Sequence, residues 1–208
     1  MNKVIVLSGA TKGLGLDIFN ILCPNYKIAT ISRNTDPLES QGCLKLKGDI
    51  TNPSDVSNFF NQVHMKWGEI DVLINNAGML GEFKPLINYN KLEIDKILET
   101  NIKGTFLMTQ EGIKKMTYPE GGLIINIGST RSITGAPDKS LYTMTKFAMR
   151  GLTQCINAEY NIHNIYSTII CPGSFKTVDT KEIAKMIKHI IELPKESHIP
   201  EIIIGGQL

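Results

Sequence analysis

The chain is expected to fold as α/β, a doubly wound parallel sheet with helices on both faces, and three observations predict this. Seven short runs rich in β-branched residues recur at residues 3–8, 27–32, 43–47, 71–75, 122–127, 165–171 and 202–204. The runs are apolar on both faces, as strands buried on both sides must be. Segments with helical spacing, at 14–22, 53–67, 92–116, 140–160 and 180–193, alternate with them almost throughout. Parallel neighbours are joined only through a crossover, so alternation and two-sided burial point to one architecture.

Taken in order, the first run passes straight into a glycine cluster and then the helical segment 14–22, the arrangement of a strand turning into a helix. Runs 27–32 and 43–47 follow. The segment 53–67 opens on Asn52-Pro53, a capping residue and a proline at the first helical position, and Gly68 follows Trp67 at its end. Run 71–75 leads into Asn76-Ala77-Gly78, and run 122–127 starts at the turn Gly121-Gly122. Run 165–171 ends at Pro172-Gly173, and the helical segment 180–193 precedes the last run. The Pro/Gly patches are turn-length and no repeat or linker interrupts the chain, so residues 1–208 are expected to form one domain.

With 42% apolar and 20% charged residues, disorder and fibrous structure are excluded. A formal charge of +2 implies neither nucleic acid nor an acidic membrane as partner. Val4 to Leu7 is too short for the apolar region of a signal peptide, and no stretch approaches the roughly 20 apolar residues of a membrane span. Cys23, Cys43, Cys155 and Cys171 form no C-x-x-C pair and have no histidine at ligand spacing. Neither a metal site nor a disulfide is therefore expected, and a cytoplasmic protein with reduced thiols is.

Three clusters carry chemistry. The first is Gly9-Ala10-Thr11-Lys12-Gly13-Leu14-Gly15, of the form G-x-x-x-G-x-G, where the first strand meets a helix. Glycines there permit a tight turn and close backbone approach to a pyrophosphate, which the helix N-terminus attracts. No G-K-[ST] ending follows, so a triphosphate loop is disfavoured. The second is Asn75-Asn76-Ala77-Gly78 at the end of the fourth strand, where a doubly wound sheet binds its ligands. The third is Ser129 beyond the fifth strand, with Tyr142 and Lys146 13 and 17 residues later. Tyr142 and Lys146 are i and i+4 on one helical face. A lysine ammonium near a phenol favours the phenolate and is expected to lower the tyrosine pKa, which suits proton exchange with an alcohol oxygen.

In this order the clusters resemble the short-chain dehydrogenase/reductases, nicotinamide-dependent oxidoreductases with one Rossmann-type domain, and the resemblance covers nearly the whole chain. It rests on the loop Gly9/Gly13/Gly15, on Asp49, Asn75-Asn76-Ala77-Gly78, Asn101, Ser129, Tyr142, Lys146, and on Pro172-Gly173 with Thr177. The resemblance implies that Tyr142 is the general acid/base, that Ser129 polarises the carbonyl, and that Lys146 binds the nicotinamide ribose. It implies that Asn101 holds a water in a proton relay, that Asp49 and Ile50 face the adenine, and that Pro172, Gly173 and Thr177 orient the carboxamide. Thr11, Leu14, Asn76, Ala77 and Gly78 join the expected cofactor contacts.

Charge points to NADP rather than NAD. Arg33 stands 20 residues past Gly13, near where an acidic residue would hold the ribose hydroxyls of NAD, and Lys12 adds a second cation for a 2′-phosphate. The expected activity is hydride transfer between nicotinamide and a carbonyl or secondary alcohol carbon, with a ketone or 3-oxoacyl reductase foremost. The alternatives are a non-catalytic dinucleotide sensor and an epimerase or dehydratase of nucleotide sugars, which would carry a larger C-terminal substrate region. Only residues 174–179 separate Gly173 from the helical pattern at Thr180, so the substrate-covering loop usual in the family is nearly absent. Met79, Phe83, Arg131 and Phe175 are candidate substrate contacts. Apolar residues around segments 92–116 and 140–160 predict a homodimer or homotetramer.

Overall fold

A computed structural model describes residues 3–36, 38, 42–116, 119–174 and 178–205. The strands are β1 (Val4–Ser8), β2 (Lys27–Ser32), β3 (Leu44–Lys47), β4 (Val72–Asn75), β5 (Gly122–Ile127), β6 (Ile165–Pro172) and β7 (Glu201–Ile204). All pair in parallel in the order β3-β2-β1-β4-β5-β6-β7. This is a Rossmann-type sheet, and its order reverses between β1 and β4, which opens a crevice at their carboxyl ends.

Successive residues of β1 supply two cores. Ile5 and Leu7 pack with α1 (Gly13–Leu22) and α6 (Thr180–Glu192) through Ile18, Phe19, Ile183 and Ile187. Val4 and Val6 face α2 (Pro53–Trp67), α4 (Thr105–Lys115) and α5 (Ser140–Tyr160) through Phe59, Phe60, Met108 and Ile156. The two-sided apolarity of the strands follows from this double cover. At α2 the Asn52 side chain accepts from the N–H groups of Ser54 and Asp55, with Pro53 in the first turn.

A polar seam crosses the α5 side of the sheet. The Asn75 side-chain amide donates to Thr109 Oγ1 and to Asn126 Oδ1, each at 2.9 Å. Asn126 Nδ2 donates to Thr153 Oγ1 at 2.9 Å and Ser167 Oγ at 3.3 Å. Asn157 then closes a two-way pair with the Ser167 backbone, accepting from its N–H at 2.6 Å and donating to its carbonyl at 2.8 Å.

Two expectations are corrected. The helix expected over 92–116 is divided into α3 (Lys91–Leu98), a π-helical turn (Glu99–Gly104) and α4. The turn accommodates buried Asn101, whose Oδ1 accepts from the Met79 N–H at 2.7 Å while Nδ2 donates to the Met79 carbonyl at 2.8 Å. Helix-period counting does not register one wider turn. Cys23 and Cys43, expected to be reduced, form a disulfide. Cys23 caps α1 just before β2, and Cys43 adjoins Leu44, which pairs with Ala29 near the start of β2. The β2–β3 pairing thus closes in space a gap of 20 residues that fits no spacing motif. Among the described residues, no helix is long and apolar enough to cross a membrane.

Candidate active site

The crevice begins where β1 ends. Ser8 is buried, and its Oγ accepts from the N–H groups of Asn76 and Ala77, each at 3.1 Å. Asn76 Nδ2 returns to the carbonyls of Gly9 (2.8 Å) and Ser8 (3.3 Å), so the glycine loop and the loop after β4 are stitched together. A Cβ on Gly15 would stand 2.0 Å from the Gly9 carbonyl oxygen and 2.5 Å from Asn76 Nδ2. Gly13 differs: its φ is +52°, and no atom lies within 4 Å of the place a Cβ would take. Lys12, at the N-cap of α1, is exposed and gives no side-chain cap, and the first turn of α1 holds no acidic residue. The loop is therefore closed underneath by glycine-only contacts and open above, with its N-terminal N–H groups and positive dipole end facing the opening, as a pyrophosphate cradle requires.

Arg33 is exposed directly after β2. Ser8 pairs with Ile31, so Arg33 follows the strand next to the one that leads into the glycine loop holding Lys12. Asp49 follows β3; its N–H donates to Asp55 Oδ2 at 2.8 Å, and its own Oδ1 accepts from Thr51 at 2.9 Å. Ile50 is buried and lies against Gly104, where a Cβ would meet its Cδ1 at 2.8 Å.

Ser129 leaves β5 in an extended conformation and caps the single turn Thr130–Ser132. Its Oγ accepts from the Arg131 N–H at 3.1 Å, and its N–H donates to Ser132 Oγ at 3.2 Å. Tyr142 stands on the first turn of α5, and Ser129 is among the groups that act on its phenol. One turn on, Lys146 is buried (7% exposed) and its Nζ donates to the Ile127 carbonyl at 2.6 Å, 5.7 Å from the Tyr142 ring centre. Asn101 Nδ2 also donates to Thr145 Oγ1 at 3.1 Å, which joins the π-helical turn to this helix. Ser129, Tyr142, Lys146 and Asn101 are thus brought together around the ends of β4 and β5.

Electrostatics correct a third expectation. The Tyr142 phenol is not lowered by Lys146: burial pushes it above its ordinary value, and only the neighbouring Ser129 side chain pulls back. Burial lowers Lys146 itself to about 8, against a smaller raising influence of Cys171. The ammonium is directed at the Ile127 carbonyl and not at the phenol oxygen, which accounts for its small influence there.

Comparison with known proteins follows from this geometry. The family model described as short chain dehydrogenase matches residues 3–188. The chain belongs to the short-chain dehydrogenase family. An uncharacterized oxidoreductase of Staphylococcus saprophyticus is 30% identical over 98% of this chain and 95% of its own length. That alignment spans 236 positions, more than this chain contains, so the relative carries residues that this short-chain dehydrogenase lacks. An uncharacterized oxidoreductase of Schizosaccharomyces pombe is 33% identical over 84% of this chain, which spans 61% of that relative. Among solved structures, an alcohol dehydrogenase of Thermococcus sibiricus complexed with 5-hydroxy-NADP is 26% identical, with a TM-score of 0.88 over 98% of this chain and 96% of that one. The chain is accordingly an NAD(P)-dependent dehydrogenase or reductase.

Pro172 and Gly173 end β6 beside the site, the Gly173 N–H donating to the Ile204 carbonyl at 2.9 Å. Thr177 and Phe175 lie outside the described residues. Two neighbours escaped the reading of motifs: Ser132 and Cys171. Ser132 is three residues from Ser129, the spacing of a reciprocal cap, and that signal was available in the sequence. Asn76 serves the site by joining two loops, its amide being committed to them. Among the described residues no cluster of His, Cys, Asp or Glu forms a metal site.

Proposed function

We propose that this short-chain dehydrogenase, acting as one domain over residues 1–208, is an NADP-dependent reductase of a ketone, 3-oxoacyl or other small carbonyl compound. The observation that carries the reading is the convergence of Ser129, at the turn after β5, with Tyr142 and buried Lys146 on the first two turns of α5, next to an open glycine cradle. When bound, the cofactor supplies a hydride to the carbonyl carbon. The chain does the rest. Ser129 donates a hydrogen bond to the carbonyl oxygen and Tyr142 gives that oxygen its proton. A phenol raised by burial is protonated at neutral pH, the state a proton donor needs. Lys146 is mostly protonated at neutral pH and holds the nicotinamide ribose. Because the Asn101 side chain is occupied by Met79 and Thr145, a relay water would rest on its main chain.

Gly9, Thr11, Gly13, Leu14 and Gly15 would hold the pyrophosphate, Lys12 and Arg33 the 2′-phosphate, Asp49 and Ile50 the adenine, and Ala77, Gly78, Pro172, Gly173 and Thr177 the nicotinamide half. The complex of the Thermococcus sibiricus enzyme with an NADP derivative supports the cofactor choice. A 3-oxoacyl-[acyl-carrier-protein] reductase of Buchnera aphidicola, 29% identical over 92% of this chain, supports the substrate class. Exposed Phe106 on α4 and Met144 and Phe147 on α5 support a homodimer or homotetramer, since apolar groups so placed are covered by a second copy at little cost. We place the enzyme in the cytoplasm, where reduced nicotinamide is regenerated.

The test is a panel of ketones and secondary alcohols with NADPH and NADH, followed by absorbance of the reduced nicotinamide. Tyr142→Phe is expected to lower turnover by about 10²–10⁴-fold with little change in cofactor affinity. Near wild-type turnover in that variant would refute the assignment of the proton donor.

A further inference from the structure

A cavity of about 250 Å³ lies at the amino ends of β1, β4, β5 and β6, the opposite end of the sheet from Ser129, Tyr142 and Lys146. Its floor is a row of register partners, Val72 on β4, Leu123 on β5 and Tyr166 on β6. Its roof is Ile190 and Ile191 from the last turn of α6. The Tyr166 and His198 rings form one wall, with centres 5.1 Å apart, and His198 Nε2 donates to the Ser167 carbonyl at 3.0 Å.

The polar groups of the rim are only partly satisfied. Lys3 Nζ donates to the Ile191 carbonyl at 2.6 Å and keeps two protons for other acceptors. Asp71 Oδ2 accepts from the Val4 N–H at 2.7 Å, while Oδ1 has no partner among the described residues. Lys3 directly precedes β1 and Asp71 directly precedes β4, the neighbouring strand, so a donor and an acceptor stand side by side. Lys3 and Lys195 are set against Asp71 and Glu120, which balances the formal charges of lysine and carboxylate around the opening.

An apolar cavity of about 150 Å³ holds benzene, so this one has room for one ring or two fused rings. We propose that it is a second binding site, for a neutral planar ligand whose edge sets a carbonyl beside an N–H: the Lys3 ammonium donates to the carbonyl and the Asp71 carboxylate accepts from the N–H. Neutrality follows from the balanced rim, planarity from the aromatic wall between an apolar floor and roof, and the edge from the adjacent donor and acceptor. Both hydrogen bonds are charge-assisted, so they select among ligands of equal shape. The site stands apart from the catalytic crevice and does not depend on the reading of that centre.

The experiment follows methyl signals of Ile, Leu and Val in the full chain, with NADPH added to occupy the crevice. The probes are 2-quinolone, which has the edge, and 1-methyl-2-quinolone, which keeps the carbonyl and loses the N–H. The first is expected to bind with a Kd of about 1 mM or tighter and to shift the methyls of Val72, Leu123, Ile190 and Ile191. The methylated probe should bind about tenfold more weakly. Asp71→Asn can still accept from the Val4 N–H but presents an amide donor in place of the free oxygen, so it should abolish that preference. Leu123→Phe narrows the floor and should abolish binding of both probes. No shift of the cavity methyls at about 1 mM 2-quinolone, or shifts elsewhere only, would overturn the proposal. Equal affinity of the wild type for the two probes would overturn it too, as would a preference that survives Asp71→Asn. Should Leu123→Phe fold poorly, the methyl shifts and Asp71→Asn decide the matter.

Discussion

Replacing Lys146 by Met should stabilise the cofactor-free protein, and pH should tune the gain. Lys146 is buried, and burial lowers its pKa from 10.5 to about 8. At about 1.36 kcal/mol per unit, holding the ammonium in this site at neutral pH costs about 3 kcal/mol of folding free energy. The substitution also removes the hydrogen bond to the Ile127 carbonyl, worth about 1 kcal/mol, so the net gain at pH 7 is about 2 kcal/mol. Below pH 8 folded and unfolded chains are both protonated at this lysine and the full cost applies. Between pH 8 and 10.5 the unfolded chain binds more protons than the folded one, so wild-type stability rises with pH as far as this group decides it. The stability difference between Lys146→Met and wild type should therefore shrink steadily above pH 8. Tyr142 and Tyr26, whose phenols are both raised, titrate in either protein and cancel from the comparison. Urea unfolding of both proteins at pH 7, 8, 9 and 10 measures it. A variant no more stable than wild type at pH 7, or a difference that does not vary with pH, would refute the argument. Activity should be lost in the same variant, which makes Lys146 a site where stability is exchanged for function.

Three further outcomes are expected. Arg33→Asp should weaken NADPH binding by about 10- to 150-fold, the equivalent of one charge-assisted hydrogen bond to the 2′-phosphate of about 1.5–3 kcal/mol, and should improve NADH binding; fluorescence titration with both cofactors checks it. Gly15→Ala places a methyl group 2.0 Å from the Gly9 carbonyl and 2.5 Å from Asn76 Nδ2, so the two stitched loops must part; cofactor affinity and thermal midpoint should both fall, by about 1–3 kcal/mol in stability. Cys43→Ser opens the Cys23–Cys43 link and should cost about 2–4 kcal/mol, measured by unfolding without reductant, and a dithiol reductant should bring the wild type down to the level of the variant.

The strands, the order of the helices and the glycine loop were legible because each is written in neighbouring residues: β-branched runs, a 3.6-residue period, a capping asparagine before Pro53. The family's proton-transfer set was legible through the i, i+4 spacing of Tyr142 and Lys146 together with Ser129. Properties that arise between distant segments were not. The π-helical turn exists because Asn101 must reach the backbone of Met79, 22 residues away, and no local pattern encodes that reach. The disulfide depends on strand pairing. The direction of the Tyr142 shift depends on how deeply the ring is enclosed and on where the Lys146 ammonium points, the latter set by the Ile127 carbonyl at the end of β5.

The amide seam from Asn75 through Asn126 and Ser167 to Asn157 acts as a height gauge for the molecule. Three adjacent strands end in three loops that must meet one ligand, and parallel strands of similar apolar content have little in their side chains alone to forbid sliding past one another. With the seam in place, a slip of β5 by one residue turns Asn126 toward the opposite helical layer and strands the Asn75 and Ser167 partners in hydrocarbon, at about 1–3 kcal/mol for each group left unmatched. The carboxyl ends of β4, β5 and β6 are thereby levelled against each other before any ligand arrives. Precision at the rim of the sheet is thus decided in its middle, and substitutions there that preserve stability are still expected to misalign the rim.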